Sequence, residues 1–120
     1  MKVAVYGSLR KGLGNHRLLE SSEFLGVSEL PDCFKMYSLG AFPYVSKEIT
    51  PHPVVCEVYS IDDATLQNLD FLEGYPSFYD REEVELEGFG ACNVYYIRND
   101  DGYKGDEIDT GDWSEYVRTR

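Results

Sequence analysis

Two short segments carry residue types whose chemistry depends on where the backbone puts them. Near the N-terminus a run of β-formers, Lys2-Val3-Ala4-Val5-Tyr6, breaks at Gly7-Ser8-Leu9. A strand that stops at a glycine turn leaves backbone N–H groups without ladder partners, and such amides can hold a carboxylate or a carbonyl oxygen. The second segment is Leu69-Asp70-Phe71-Leu72-Glu73-Gly74, followed by Tyr75, Pro76, Ser77, Phe78 and Tyr79. Glu73 is expected to end a helix, where the negative pole of the helix dipole disfavours its ionised form. Tyr75, Phe78 and Tyr79 are expected to disfavour it further. A carboxyl that holds its proton toward neutral pH suits reversible proton transfer. An anion-holding turn and one proton-moving acid are therefore the chemistry these residues suggest. The plainer alternatives are a strand-to-loop turn with no ligand and a solvated glutamate beside a helix-ending glycine.

Other chemistries fit less well. The stretch from Gly7 to Gly14 begins like a phosphate-binding loop, but Leu13-Gly14 stands where that loop needs Lys and then Ser or Thr. Gly12-Leu13-Gly14-Asn15-His16-Arg17 begins like a dinucleotide fingerprint, but Arg17 occupies the third glycine position and no repeated βαβ pattern follows. His16 and His52 form no H-E-x-x-H motif, and no clustered Asp/Glu/Cys/His spacing marks a metal. No spacing supports a Cys–His nucleophilic pair. Arg10 and Lys11 are expected to add positive potential beside the turn.

Charge and composition bound the setting. The net charge is −11, distributed as +3 over residues 1–20, −3 over 21–60 and −11 over 61–120. Such a surface repels nucleic acid and anionic membranes, and neither is expected as a partner. An acidic protein that binds a basic partner is a rival reading. No window approaches the ~20 apolar residues of a membrane span, and no secretory or lipidation pattern opens or closes the chain. Cys33, Cys56 and Cys92 are odd in number and form no C-x-x-C. They read as small buried hydrophobes in a reduced, cytoplasmic protein.

The elements that must position these residues are mostly strands. Lys2–Tyr6, Phe24–Leu30, Phe34–Leu39, Val54–Ile61, Arg81–Glu87 and Ala91–Arg98 read as β. Val55, Glu57 and Tyr59 alternate with Val54, Cys56 and Val58. In Arg81–Glu87, Val84 and Leu86 alternate with outward Glu83, Glu85 and Glu87. Asn15 can cap a short helix through Glu20. Asp62 or Asp63 caps the main helix, from Ala64 to about Glu73, with Leu66, Leu69 and Leu72 on its buried face. Gly74 ends it and Pro76 prevents its continuation. Pro43 and Pro51-His52-Pro53 mark loops, Asn99–Gly102 marks a turn, and Asp112–Tyr116 a short terminal helix. The expectation is one α+β domain over residues 1–120, with a small, mixed, barrel-like sheet of about six strands and flanking helices.

At these residues the chain resembles the γ-glutamylcyclotransferase-like family, and within it the γ-glutamylamine cyclotransferases. Val3-Ala4-Val5-Tyr6-Gly7-Ser8-Leu9-Arg10-Lys11-Gly12, followed by Asn15-His16-Arg17, is similar to that family's Tyr-Gly-Ser/Thr-Leu segment. Val55-Cys56-Glu57-Val58-Tyr59 is similar to its Gly-Glu-Val-Tyr strand, with Cys56 where glycine is usual. Leu69 through Val84 is similar to the segment carrying its catalytic glutamate, and Thr110-Gly111-Asp112-Trp113 to a motif near its C-terminus. The four matches occur in order. The resemblance implies a β-barrel-like core and cyclisation of a γ-glutamyl amine or amino acid to 5-oxoproline, with release of the amine. It implies Glu73 as the acid/base, Tyr6, Gly7, Ser8 and Leu9 as the holder of the γ-glutamyl group, and Tyr79 as a pocket wall or hydrogen-bond donor. It implies no metal and no organic cofactor. A binding module on the same fold, without turnover, is the alternative.

Overall fold

In the computed structural model, which describes residues 1–99 and 102–119, the central strand is β1 (Lys2–Val5). It runs antiparallel to β5 (Val55–Ser60), with Val3 opposite Tyr59, and parallel to β7 (Gly90–Tyr96), with Val3 opposite Asn93. β2 (Glu23–Glu29) and β6 (Asp80–Leu86) complete a mixed five-stranded sheet in the order β2-β5-β1-β7-β6. β4 (Pro43–Lys47), β3 (Phe34–Ser38) and β8 (Asp106–Glu107) form a second sheet of three strands. The helices are α1 (Asp63–Glu73) and α2 (Trp113–Arg118), with a 3-10 turn at His16–Leu19.

Every residue from Val3 to Tyr6 is buried, because both faces of the central strand are covered. Ala4 and Tyr6 face a core shared with Val58, Val94, Met36 and Val45, which joins the two sheets. Val3 and Val5 face the opposite way, onto a core with Leu19, Tyr59, Leu69 and Tyr95 beneath α1. The expected alternation of the fifth strand follows from this: Val54, Cys56 and Val58 point into the first core, and Tyr59 into the second. The Ile97 amide donates to the Val45 carbonyl at 3.0 Å and ties the sheets together. They remain separate sheets, so the architecture is α+β but not a closed barrel.

α1 starts and stops where its sequence directs. The Asp62 side chain accepts from the Thr65 amide at 2.8 Å, satisfying an N–H that has no partner inside the helix. Gly74 takes the left-handed conformation at φ 66°, and the Tyr75 amide returns to the Asp70 carbonyl at 2.9 Å. Leu69 is buried as expected, but Leu72 is partly exposed and turns toward a pocket.

Among the described residues eight strands form rather than about six. Pro43, expected in a loop, opens β4; at the first position of a strand a missing N–H costs no ladder bond. β8 is two residues long and carries too little pattern to be read. Asn15 makes no side-chain cap; its amide group turns to Ser8 instead. Cys56 and Cys92 are buried, but Cys33 is exposed, contrary to the expectation for all three. The expected Asn99–Gly102 turn includes residues outside those described. Among the described residues, no helix is long and apolar enough to cross a membrane.

Candidate active site

The N-terminal turn and the end of α1 meet. Tyr6, Gly7, Ser8 and Leu9 line one side of a cavity of about 190 Å³, and Leu72, Glu73, Phe78 and Tyr79 line the other. Asn15, Phe42 and Pro43 close it between them. The pieces converge because β1 emerges from the sheet centre directly beneath the helix, which packs on Val3 and Val5 through Leu69.

At the turn the backbone is closely fitted. A Cβ on Gly7 would lie 2.9 Å from Cγ of Pro43, so no larger residue fits there without displacing the proline ring. The Gly7 carbonyl accepts from the Arg10 amide at 3.0 Å, and the Ser8 carbonyl from the Asn15 amide at 3.0 Å. Asn15 Nδ2 donates to Ser8 Oγ at 2.8 Å, which leaves the Ser8 hydroxyl hydrogen for another acceptor. His16 Nδ1 lies 2.9 Å from the Leu9 carbonyl, which makes Nδ1 the protonated nitrogen. The amides of Gly7, Ser8 and Leu9 donate to no acceptor among the described residues. Three adjacent unpaired donors beside a cavity are able to hold an anion where they face it.

Glu73 is the last residue of α1, and its carboxylate accepts no hydrogen bond among the described residues. Burial pushes its pKa up to about 7. Burial is the dominant cause, where the sequence had pointed to the helix dipole as well. The hydroxyls of Tyr6 and Tyr79, which line the cavity, are already bonded. The Tyr6 hydroxyl donates to the Tyr95 carbonyl at 2.7 Å and accepts from the Val45 amide at 3.3 Å. The Tyr79 hydroxyl donates to the Pro43 carbonyl at 2.6 Å. Tyr79 is thus a wall of the pocket with its donor already committed. Burial comes first in raising both phenols, followed at Tyr6 by Tyr79 and then Glu73, and at Tyr79 by Glu73. Phe78 packs edge-on against Tyr79 at 5.0 Å and against Phe42 at 5.9 Å, which keeps this side apolar.

The end of α1 is braced by Asp70. It accepts from the Tyr95 hydroxyl at 2.6 Å and from Arg81 Nη2 at 3.2 Å, fastening the helix to β7 and β6.

Arg10 and Lys11 follow the turn but do not line the cavity. Arg10 is buried, with Nε donating to Glu57 Oε2 at 3.0 Å and Nη1 to Asp112 Oδ1 at 2.8 Å. Glu57 Oε1 also accepts from the Lys11 amide at 2.9 Å and the Tyr59 hydroxyl at 2.8 Å. Asp112 in turn caps α2 by accepting from the Glu115 amide at 3.2 Å. This clamp ties the loop after the turn to β5 and α2. Its members stand in three of the motifs quoted above, but their mutual role spans separations of 47 and 102 residues and is invisible to local pattern. The one local signal was a charged Glu57 inside an otherwise apolar strand.

Known proteins share this arrangement's sequence and fold. Residues 3–115 match the family model described as gamma-glutamyl cyclotransferase, AIG2-like. A Vibrio cholerae protein, provisionally named a gamma-glutamylcyclotransferase, is 39% identical over 116 residues and covers 96% of each chain. A Methanocaldococcus jannaschii protein with the same provisional name is 41% identical over 85 residues, 70% of each chain. The crystal structure of an uncharacterized protein from Pyrococcus horikoshii superposes with a TM-score of 0.84 at 28% identity, covering 99% of this chain and 94% of that one. The chain belongs to the gamma-glutamyl cyclotransferase, AIG2-like family.

Proposed function

We propose that this protein cyclises a γ-glutamyl amine or γ-glutamyl amino acid to 5-oxoproline and releases the free amine. The observation that carries this reading is that Glu73 lines the same cavity as Gly7, Ser8 and Leu9, whose amides are unpaired among the described residues.

The substrate brings its own nucleophile. Its α-amine attacks its γ-carbonyl, a new C–N bond closes the five-membered ring, and the bond to the leaving nitrogen breaks. The protein's first task is to fold the substrate so that the two groups meet, which converts a loose encounter into a positioned one. The Tyr6–Leu9 turn, with the Ser8 hydroxyl, holds the γ-glutamyl group. The amides face the oxygen on which negative charge develops as the carbonyl becomes tetrahedral. Glu73, ionised, takes a proton from the α-ammonium; protonated, it delivers one to the departing nitrogen. A carboxyl that titrates at about 7 serves both steps near neutral pH. Tyr79 and Tyr6 wall the site and exclude water.

The test is to incubate the protein, and its Glu73→Gln variant, with γ-glutamyl amines and γ-glutamyl dipeptides and to measure 5-oxoproline. Release by the unaltered protein and its loss in Glu73→Gln are expected. Binding of these compounds by both proteins with no product from either would replace the enzyme with a binding module.

A further inference from the structure

We propose that His52, Glu107 and Asp109 form a surface site for one divalent transition metal ion of the zinc class. No motif marks these residues in the sequence; the fold brings them together. One ring nitrogen of His52 and one carboxylate oxygen from each of Glu107 and Asp109 all lie within 4.8 Å of one another. Ligands bound at about 2.0–2.2 Å from a common ion stand somewhat closer than this, within reach of small side-chain rotations.

The backbone on both sides is set. Glu107 ends β8, and Asp109 stands two residues on, in the turn that follows it. Ile108 between them is buried, and its amide donates to the Met36 carbonyl at 3.0 Å. His52 sits between Pro51 and Pro53, its amide donating to Thr50 Oγ1 at 3.0 Å. Thr50 is itself buried and bonded to the Asp32 carbonyl at 2.8 Å. Gly111 packs directly on the Pro53 carbonyl, and its own carbonyl accepts from Val55 at 2.8 Å, which sews the histidine loop to the segment after β8.

One imidazole and two carboxylates suit zinc, nickel, cobalt or manganese; an all-oxygen set would suit magnesium or calcium. Glu107 Oε1 meets Lys35 Nζ at 3.3 Å, which leaves its second oxygen for the ion. A chain of net charge −11 concentrates cations at its surface and favours occupancy. The bound ion would staple the β4–β5 connection to the segment from β8 to the turn after it, and none of its three ligands lines the Glu73 cavity. The inference therefore stands whether or not the protein turns over a γ-glutamyl compound.

The experiment is calorimetric titration of metal-free protein with ZnCl2 at pH 7.5, with MgCl2 as control. His52→Ala, Asp109→Asn and Cys33→Ser are titrated alongside, the last because its thiol is exposed. One equivalent of Zn2+ is expected to bind, with at least tenfold weaker binding in His52→Ala and Asp109→Asn and no change in Cys33→Ser. In proton NMR of the unaltered protein, the His52 ring signals are expected to move on adding Zn2+, so a poorly folded variant leaves the test intact. Equal affinity in His52→Ala, loss only in Cys33→Ser, unmoved His52 signals, or no binding at 100 μM Zn2+ would each overturn the site.

Discussion

Glu73 and Glu57 flank the same N-terminal loop, and their surroundings make them opposites. Burial pushes both carboxyls toward the protonated form. At Glu73 no donor among the described residues answers it, and the pKa rises to about 7. At Glu57 the Lys11 amide, the Arg10 guanidinium and the Tyr59 hydroxyl outweigh burial and hold the carboxyl below its ordinary value. One side chain can gain and lose a proton near neutrality; the other stays ionised and fixed. Burial alone does not tell a reactive carboxylate from a structural one. The number of donors aimed at it does.

The sharpest way to break this contrast is to neutralise each acid. Glu73→Gln is expected to lower 5-oxoproline formation by about 10²–10⁴-fold, the usual range for losing a general acid/base, with the circular dichroism spectrum unchanged. Equal turnover in the variant would move the proton transfer elsewhere. Glu57→Ala is expected to act on the fold instead. It removes a partner from a buried Arg10 and should cost about 3–5 kcal/mol in urea unfolding. A cost below ~1 kcal/mol, the range of an exposed pair, would mean that the clamp does not hold the loop.

Gly7→Ala sharpens the contrast from the loop between the two acids. The added methyl meets Pro43 at 2.9 Å and must shift either the turn or the β4 start. Overpacking of this kind costs about 1–3 kcal/mol. Because the amides of Gly7, Ser8 and Leu9 move with it, KM for a γ-glutamyl substrate is expected to rise more than stability falls in proportion. An unchanged KM would separate the turn from substrate binding.

How far these features were legible in the chain follows from their range. α1 was readable because its signals are local: Asp62 before it, Gly74 after it, and leucines between. Glu73 was readable because an acid at a helix C-terminus breaks a local rule. The Tyr6–Leu9 turn was readable as a strand meeting a glycine. That these two segments share one cavity depends on β1 lying at the centre of the sheet, which no local pattern encodes. The Arg10 clamp was missed for the same reason, since its partners come from β5 and the cap of α2. β4 escapes local pattern because proline commonly marks a loop, although the first residue of a strand tolerates it.

The smallest expected effect tests the cause of the contrast. If burial raises the Glu73 pKa from 4.5 to about 7, the folded chain binds more protons there than the unfolded chain between those values. Stability contributed by this group is then present below about 4.5 and is lost as pH rises toward 7. Glutamine carries no charge at any of these pH values. Glu73→Gln should therefore match the unaltered protein at pH 4 and exceed it at pH 8. The full shift corresponds to ~3 kcal/mol, and partial solvent access at the pocket mouth reduces this to roughly 1–2 kcal/mol. Glu57 and Asp112, whose pKa values are lowered, lose their contribution in acid, but they do so in both proteins and cancel in the difference. Urea unfolding of the pair across pH 4–8 reads the quantity directly. A difference that stays flat over that range would show that Glu73 titrates like an ordinary solvated glutamate.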